Sequence, residues 1–464
     1  MSVMIRDAAV DSRRCSVLID HGLIEAVGPI HEMPFADVVV DADGMALIPG
    51  LHDHHIHLRS AAAAASSISV DANQVHGASA LRRQLKLAPT SDPDGWIRVV
   101  GYHESVAGDL DRHALDAILS ERPVRVQHRS GSLWILNTLA IRVAGIDGRR
   151  HPGIERDDSG RPTGRLWRAD ELLVGLSTVS TDQFASLGAR AASFGITGFT
   201  DATPDQSIDS LQHLAELHGQ GIIPQRLHLM APVGIGRVEG DGITIGPVKI
   251  MLDDASLPSV DELGHQLSAV RDAGRAVAIH CVTQVQAVVA LTALSEVGDV
   301  MGARIEHGSV LSPHLDQLAV DLGVTVVTQP HFLVTRGDQY LRDVPADEVA
   351  SLYRGETLRR AGIPVAAGSD APFGTLDPWA AMYAATERRS ASGAQFTPEE
   401  RFVPHDALQL FLGSADRPGT PRTVAPGSRA DLCLLPASLD ECLDALPHVQ
   451  PVLTMVSGRI VHGP

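Results

Sequence analysis

Residues 49–60 read PGLHDHHIHLRS, and from His52 to His57 four histidines and one aspartate share six positions. The stretch follows an apolar run and reads as an extended strand, in which side chains alternate between faces. Asp53, His55 and His57 then point one way, and His52 and His54 the other. Two neutral imidazoles on one face suit a divalent metal ion, with Asp53 placed to ligate it or to orient a ring. Two histidines at this spacing also occur as ordinary polar strand residues, so the decision rests with the rest of the chain.

Elsewhere short β-branched runs alternate with helical patterns, which is the pattern of a parallel sheet with crossover helices. Counted with 46–57, the runs at 195–202, 225–231, 247–252, 275–280, 302–306, 324–328 and 363–369 make eight. Amphipathic stretches lie between most of them; residues 259–274, SVDELGHQLSAVRDAG, open on a serine N-cap and close on glycine. Eight such units predict an α/β fold, a (β/α)8 TIM-type metallo-hydrolase barrel over 48–59 and 191–420, with function at the carboxyl ends of its strands. Residues 1–47 and 421–464 show short alternating strands with glycine turns and predict one small β-sandwich made from both chain ends. Residues 60–190 follow the first barrel strand, where roughly 2–6 residues are usual. They carry Trp96, Tyr102, Trp134 and Trp167 and predict an insertion or lid subdomain.

The chain has 464 residues, 44% of them hydrophobic, and a formal charge of −18. No Lys/Arg-rich run offsets that charge, which argues against nucleic acid or an anionic membrane as partner and leaves small solutes as ligands. The first residues lack a basic end followed by an apolar core, and no run reaches a membrane span, so a cytoplasmic location is expected. Four cysteines, Cys15, Cys281, Cys433 and Cys442, are scattered without a CxxC pair and read as inert thiols.

Further ligand types recur where later strands give way to loops. His280 closes AVAIH, His307 closes RIEH and Asp370 closes VAAGSD. Each alone is explained as a capping or hydrogen-bonded residue, but together they converge on one rim, the geometry of a metallo-hydrolase site. Lys249 is more telling. Only two lysines stand against 36 arginines, yet one of them lies inside the strand GPVKIML, with the parity of Met251 and Asp253. A buried ammonium is costly unless paired, and lysine, unlike arginine, can lose its proton. A deprotonated lysine can take up carbon dioxide as a carbamate whose two oxygens bridge two metal ions. The plainer reading is an internal ion pair with Asp253 or Glu306.

PGLHDHHIH, the strand lysine, the single histidines at 280 and 307, and GSDAP, in this order, resemble the amidohydrolase superfamily. More narrowly, GLIEAVG, PTGRLWRAD, RIEHGSVL, GSDAPFGTLDPW and GSRADLCLL resemble its family 3 branch, which holds N-acyl and N-formyl amide hydrolases. The resemblance implies metal ligation by His55 and His57, a carbamylated Lys249 as bridge, His280 and His307 on a second metal, and Asp370 as the metal-linked base. It implies one or two divalent ions per chain, with zinc expected, and a homodimer. Three departures stand out: Ser132 replaces the branch's usual insertion histidine, His280 is followed by CVTQ rather than a Gly-Asp pair, and Lys249 by Asp253-Asp254 rather than Asp-Gly. None touches the implied ligands, but they put the usual substrate contacts in question.

The chemistry expected from that set is hydrolysis of a non-peptide C–N bond of a small-molecule amide. A metal-held water has its pKa lowered to roughly 7, and Asp370 takes its proton and hands it to the leaving amine. Tyr102, His103, His331 and Trp379 are the expected substrate contacts. The alternative enzyme class is a mononuclear deaminase or cyclic-amide hydrolase on the same barrel, which does not need Lys249. A non-enzymatic barrel predicts loss of ligands, and all six are present.

Overall fold

The histidine-rich stretch folds as the strand Leu51–Ile56, every residue of which is buried. In the computed structural model, which describes residues 2–463 apart from 30, 32, 65–66, 71–74, 88–94 and 174–178, it is the edge of a four-stranded parallel sheet. Its neighbours in order are Ile196–Asp201, Arg226–Leu229 and Ile243–Ile245. A second parallel sheet runs Val248–Met251, Val277–Cys281, Arg304–His307, Thr325–Thr328 and Val365–Ala367. On one side only Gly246 and Pro247 separate the two sheets along the chain, and proline, which has no N–H to donate, ends the pairing there. On the other side Asp370 N donates to His55 O at 2.7 Å and His57 N to Ala371 O at 3.0 Å. The segment that follows the last of these strands is thereby hydrogen-bonded to the end of the first.

Strands of this kind, buried on both faces, need helices over them. Ile208–Gly219, Val260–Asp272 and Gln284–Val297 supply three, capped by Ser207, Ser259 and Thr283. Ser259 and Glu262 form a reciprocal capping box, and a cap of this kind is worth about 1 kcal/mol. Leu263, Leu267 and Val270 form the buried stripe of the second helix, at the spacing that a 3.6-residue period requires.

The chain divides into two compact units, 1–58 with 185–464 and 59–184. In the first unit the chain ends build two further sheets. One has the order Leu23–Gly28, Arg13–Asp20, Val3–Val10, Val38–Asp41; the other runs Arg459–His462, Leu453–Val456, Leu432–Leu434, Leu47–Pro49. Ile5, Val17, Leu47, Leu432, Leu453 and Met455 from both sheets share one core, each such side chain contributing about 1.5–3 kcal/mol by burial. Gly50 alone separates Leu47–Pro49 from the histidine strand, and a side chain there would collide with Thr197.

The second unit is a six-stranded sheet in the order Ile154–Arg156, Pro162–Trp167, Leu133–Leu136, Val124–His128, Ile97–Tyr102, Ile68–Ser69. One apolar cluster holds Leu81, Val99, Leu115 and Val126, another Trp96, Trp134, Ile141 and Leu166. The indole of Trp134 donates to Asp170 Oδ1 at 2.7 Å. Part of the 60–190 insertion reading falls outside the described residues. All four cysteines are free, and no described helix is long and apolar enough to cross a membrane.

Candidate metal centre

The four histidines of the first strand separate by face. His52 and His54 lie ring against ring at 4.5 Å, with His52 Nε2 bonded to Thr200 Oγ1 at 2.9 Å. His55 and His57 form the other pair, with ring centroids 5.5 Å apart. Asp53 Oδ1 accepts the N–H of His55 at 3.1 Å and of Ser369 at 2.9 Å. That carboxylate fixes the backbone that carries both His55 and Asp370.

Asp370 Oδ1 lies 3.2 Å from His57 Nε2 and 3.6 Å from His55 Nε2, and the three ligand atoms lie within 4.8 Å of one another. Neither His55 Nε2 nor Asp370 Oδ1 makes a hydrogen bond, although both are buried. Burial alone would raise the Asp370 pKa, but the neighbouring imidazoles of His57, His55 and His307 hold it well below the usual carboxylate range. Burial, aided by the nearby Lys249 charge, pushes His55 down to about 4, so its ring is neutral near pH 7.

The partners of the rings set their tautomers. His55 Nδ1 is hydrogen-bonded to Glu306 Oε2, and the Gln329 amide oxygen lies 2.7 Å from His307 Nδ1. A ring proton held on Nδ1 leaves Nε2 with its lone pair, as a metal ligand requires. The rings of His280 and His307 meet at 4.5 Å and those of His55 and His307 at 4.9 Å, so all four histidines of the expected set form one contiguous group with Asp370. Burial, the largest cause, pushes His307 down to about 3.

Two of these residues are held in an unfavourable backbone conformation. His307 has φ 67° and Asp370 φ 50°, the left-handed region that costs a non-glycine residue roughly 1–2 kcal/mol. Strain of this kind persists where surrounding structure enforces it, most often at functional sites. Lys249 is buried, and its Nζ has no hydrogen-bond partner. No ion pair to Asp253 or Glu306 forms among the described residues, and burial lowers the pKa of the amine. Met251, on the same parity, is 39% exposed at the strand's end.

Of the remaining expected residues, His331 and Trp379 belong to the first unit and Tyr102 and His103 to the second. His331 is buried beside Phe332 with both ring nitrogens unbonded. Trp379 is fully buried, its indole N–H donating to Phe194 O at 3.1 Å. In the second unit, Tyr102 is buried with its hydroxyl donating to Gly108 O at 2.5 Å, and His103 sits with Glu104 and His128. The orienting roles of Glu306, Arg304 and Gln329 were absent from the sequence reading. The Arg-x-Glu alternation in RIEH was the available signal, since residues two apart on a strand share a face.

The donor set, imidazoles with one carboxylate and several unbonded buried atoms, fits a divalent ion. The sequence profile of the amidohydrolase family matches residues 38–462. The chain belongs to the amidohydrolase family. This amidohydrolase is therefore a hydrolase of carbon–nitrogen bonds other than peptide bonds. It is 25% identical to the N-substituted formamide deformylase of Arthrobacter pascens over 531 aligned residues, 97% of this chain and 95% of the relative. A solved structure of an uncharacterized metal-dependent hydrolase from Pyrococcus horikoshii matches with a TM-score of 0.74 at 18% identity, over 94% of this chain and 97% of that one. N-isopropylammelide isopropylaminohydrolase from Burkholderia multivorans matches with a TM-score of 0.56 at 17% identity, over 99% and 98%. These two likenesses are of the mixed α/β fold.

Proposed function

We propose that this amidohydrolase is a metal-dependent enzyme that cleaves the amide bond of a small molecule. Eight of the nine strands of the two parallel sheets, Ile243–Ile245 being the extra one, are read as one (β/α)8 barrel, the two sheets of the chain ends as a β-sandwich, and 59–184 as the insertion. The observation that carries the proposal is the group of His55 Nε2, His57 Nε2 and Asp370 Oδ1, with His55 and Asp370 buried and left unbonded at those atoms. His55, His57 and Asp370 would hold one ion. His280 and His307 would hold a second, and Lys249, as a carbamate, would supply anionic oxygens to the pair. The neutral lysine nitrogen bonds to the carbon of carbon dioxide and loses a proton, giving an anion that ends the lack of a partner at Nζ.

A bound divalent ion, expected to be zinc, polarises a carbonyl and lowers the pKa of water. Asp370, kept ionised by the surrounding imidazoles, accepts the proton of the attacking water and returns it to the leaving nitrogen. Glu306 and Gln329 hold their rings in the tautomer that frees Nε2. His331, neutral because burial pushes it down to about 3, is available to hydrogen-bond the substrate near Asp370. The formamide hydrolysis named for the Arthrobacter relative makes N-formyl and N-acyl amides the first substrates to screen.

Metal content of protein purified without chelator and with bicarbonate, compared with Lys249→Ala, tests this reading. About two divalent ions per chain, falling to one or none in the variant, support the bridged site. One ion in both proteins, with no added carbon dioxide in the intact mass, shifts the reading to a mononuclear deaminase or cyclic-amide hydrolase. The closely grouped His55, His57 and Asp370 would serve that alternative too.

A further inference from the structure

A cavity of about 630 Å³ lies within the first unit, where the strands of the histidine sheet begin. Arg226 and His228 belong to the first residues of Arg226–Leu229, Gly242 precedes Ile243–Ile245, and Pro49 and His52 flank the start of the histidine strand. The remaining wall comes from residues between 414 and 432, the chain that leads into Leu432–Leu434. His55, His57 and Asp370, gathered where their strands end, do not line it. The volume suits a small organic molecule.

Three arginines line this cavity, Arg226, Arg422 and Arg429, in a chain whose formal charge is −18. Burial lowers the pKa of Arg226 and of Arg422, and each is lowered further by another of the three, Arg429 for the first and Arg226 for the second. Two carboxylates line the cavity with them. Asp431 is buried, with Oδ1 accepting the Ser457 N–H at 2.7 Å and Oδ2 lying 3.9 Å from Arg226 Nε. Asp416 is exposed.

These partners leave donors over. The one hydrogen bond of the Arg226 guanidinium is from Nη1 to Ser457 Oγ at 3.4 Å, so most of its N–H groups are unused. Arg422 donates to the carbonyls of Gly50, Leu412 and Gly413 and forms no ion pair among the described residues. His228 is buried, with Nδ1 2.7 Å from Thr244 Oγ1 and no partner at Nε2. Burial pushes this ring down to about 4, so it is neutral near pH 7 and adds no charge of its own.

We propose that this cavity binds a small organic molecule through an oxyanion, a carboxylate or a phosphate group, held by Arg226, Arg422 and Arg429. Planar guanidinium forks match the paired oxygens of either group, and a bound anion offsets the repulsion among the three cations. The competing account is a water-filled seam in which Asp431 alone balances the arginines.

Equilibrium dialysis of the whole protein against inorganic phosphate, at constant ionic strength, tests the assignment. Wild type is expected to bind one more phosphate per chain than Arg226→Gln. Arg429→Ser is expected to weaken that binding roughly 10-fold or more, the loss of one charged hydrogen bond, and its exposed side chain makes it the variant least able to disturb folding. Arg161→Ser removes an equal charge from the second unit at a side chain 74% exposed, and is expected to bind as wild type does. Competition with acetate separates the two sources: displacement marks a carboxylic acid as the ligand, and resistance marks a phosphate ester. Equal phosphate binding in wild type, Arg226→Gln and Arg429→Ser, or an equal loss in Arg161→Ser, overturns the proposal. Phosphate taken up at the metal centre is common to all these proteins and cancels in the comparison, so the result stands apart from the reading of that centre.

Discussion

Glu306 receives His55 Nδ1 on one carboxylate oxygen, while Arg304 Nε donates to the other at 2.8 Å. All three groups are buried. The arginine and the ring outweigh the rise that burial alone would give and keep Glu306 ionised, well below the usual carboxylate range. An ionised Glu306 holds the His55 proton on Nδ1. The free lone pair of Nε2, and with it the capacity to bind metal, therefore depends on an arginine two residues from Glu306 that does not itself reach the ligand group.

Glu306→Gln tests that dependence. The amide cannot neutralise Arg304, and removal of one partner from a buried pair typically costs about 3–5 kcal/mol. Metal affinity is expected to fall roughly 10- to 100-fold through the loosened His55 ring. A thermal melt combined with metal titration separates the two effects; unchanged affinity in a folded variant would refute the orienting role.

For Lys249→Met the two readouts move in opposite directions. The metal-free protein is expected to gain on the order of 1–3 kcal/mol, because an unpartnered buried polar group is replaced by an apolar one of similar length. Turnover and metal content are expected to drop. Denaturant unfolding of chelated protein reads the first change, and metal analysis the second.

Asp370→Asn removes the carboxylate charge but keeps the shape. Retention of at least one ion on the histidines is expected, with kcat lower by about 10²–10⁴-fold, the range of a lost general base. Near-wild-type turnover would place the proton transfer elsewhere.

Asp53 gives a pH signature. Burial raises its carboxyl to about 6, against 3.8 for the ordinary group. The folded chain thus holds a proton that the unfolded chain has lost, and the stability contributed by this group falls as pH rises from about 4 to about 6. Asp53→Asn keeps an acceptor for the N–H groups of His55 and Ser369 and is expected to lose that slope. Asp53→Ala is expected to cost about 1–3 kcal/mol through unsatisfied buried amides. Unfolding midpoints of metal-free protein at several pH values between 4 and 7 distinguish the three.

The parallel strands were legible because strands covered on both faces read as continuous β-branched runs. GITGFTDA contains Ile196–Asp201, and VTVVT contains Thr325–Thr328. The histidine strand carries no such run in its second half and was read from its chemistry instead. Ile243–Ile245 was not legible: three residues ended by Gly246-Pro247 look like a loop, and only pairing with Arg226–Leu229 makes them a strand. The outer edge of the insertion is also blurred in sequence, because the helix Thr181–Ser193 runs across the division near 184. Within the site, the residue types that bind metal stood out by position. Their orienting partners did not, since Glu306 reaches His55 across 251 positions and His307 needs Gln329 from the next strand. Such pairings follow from how the sheets bring distant strands together; only the Arg304–Glu306 half of the arrangement has a local pattern, the alternation in RIEH.

The strand Leu47–Pro49, one glycine ahead of the histidines, pairs with Leu432–Leu434 near the other end of the chain. On the ribosome the histidine strand is made well before the strand that anchors its foot. The chain between the two must be synthesised before this footing exists, and closing so long a loop is a slow step. Until then Leu47–Pro49 lacks this partner, so a change at Leu432–Leu434 bears on the histidines just beyond Gly50.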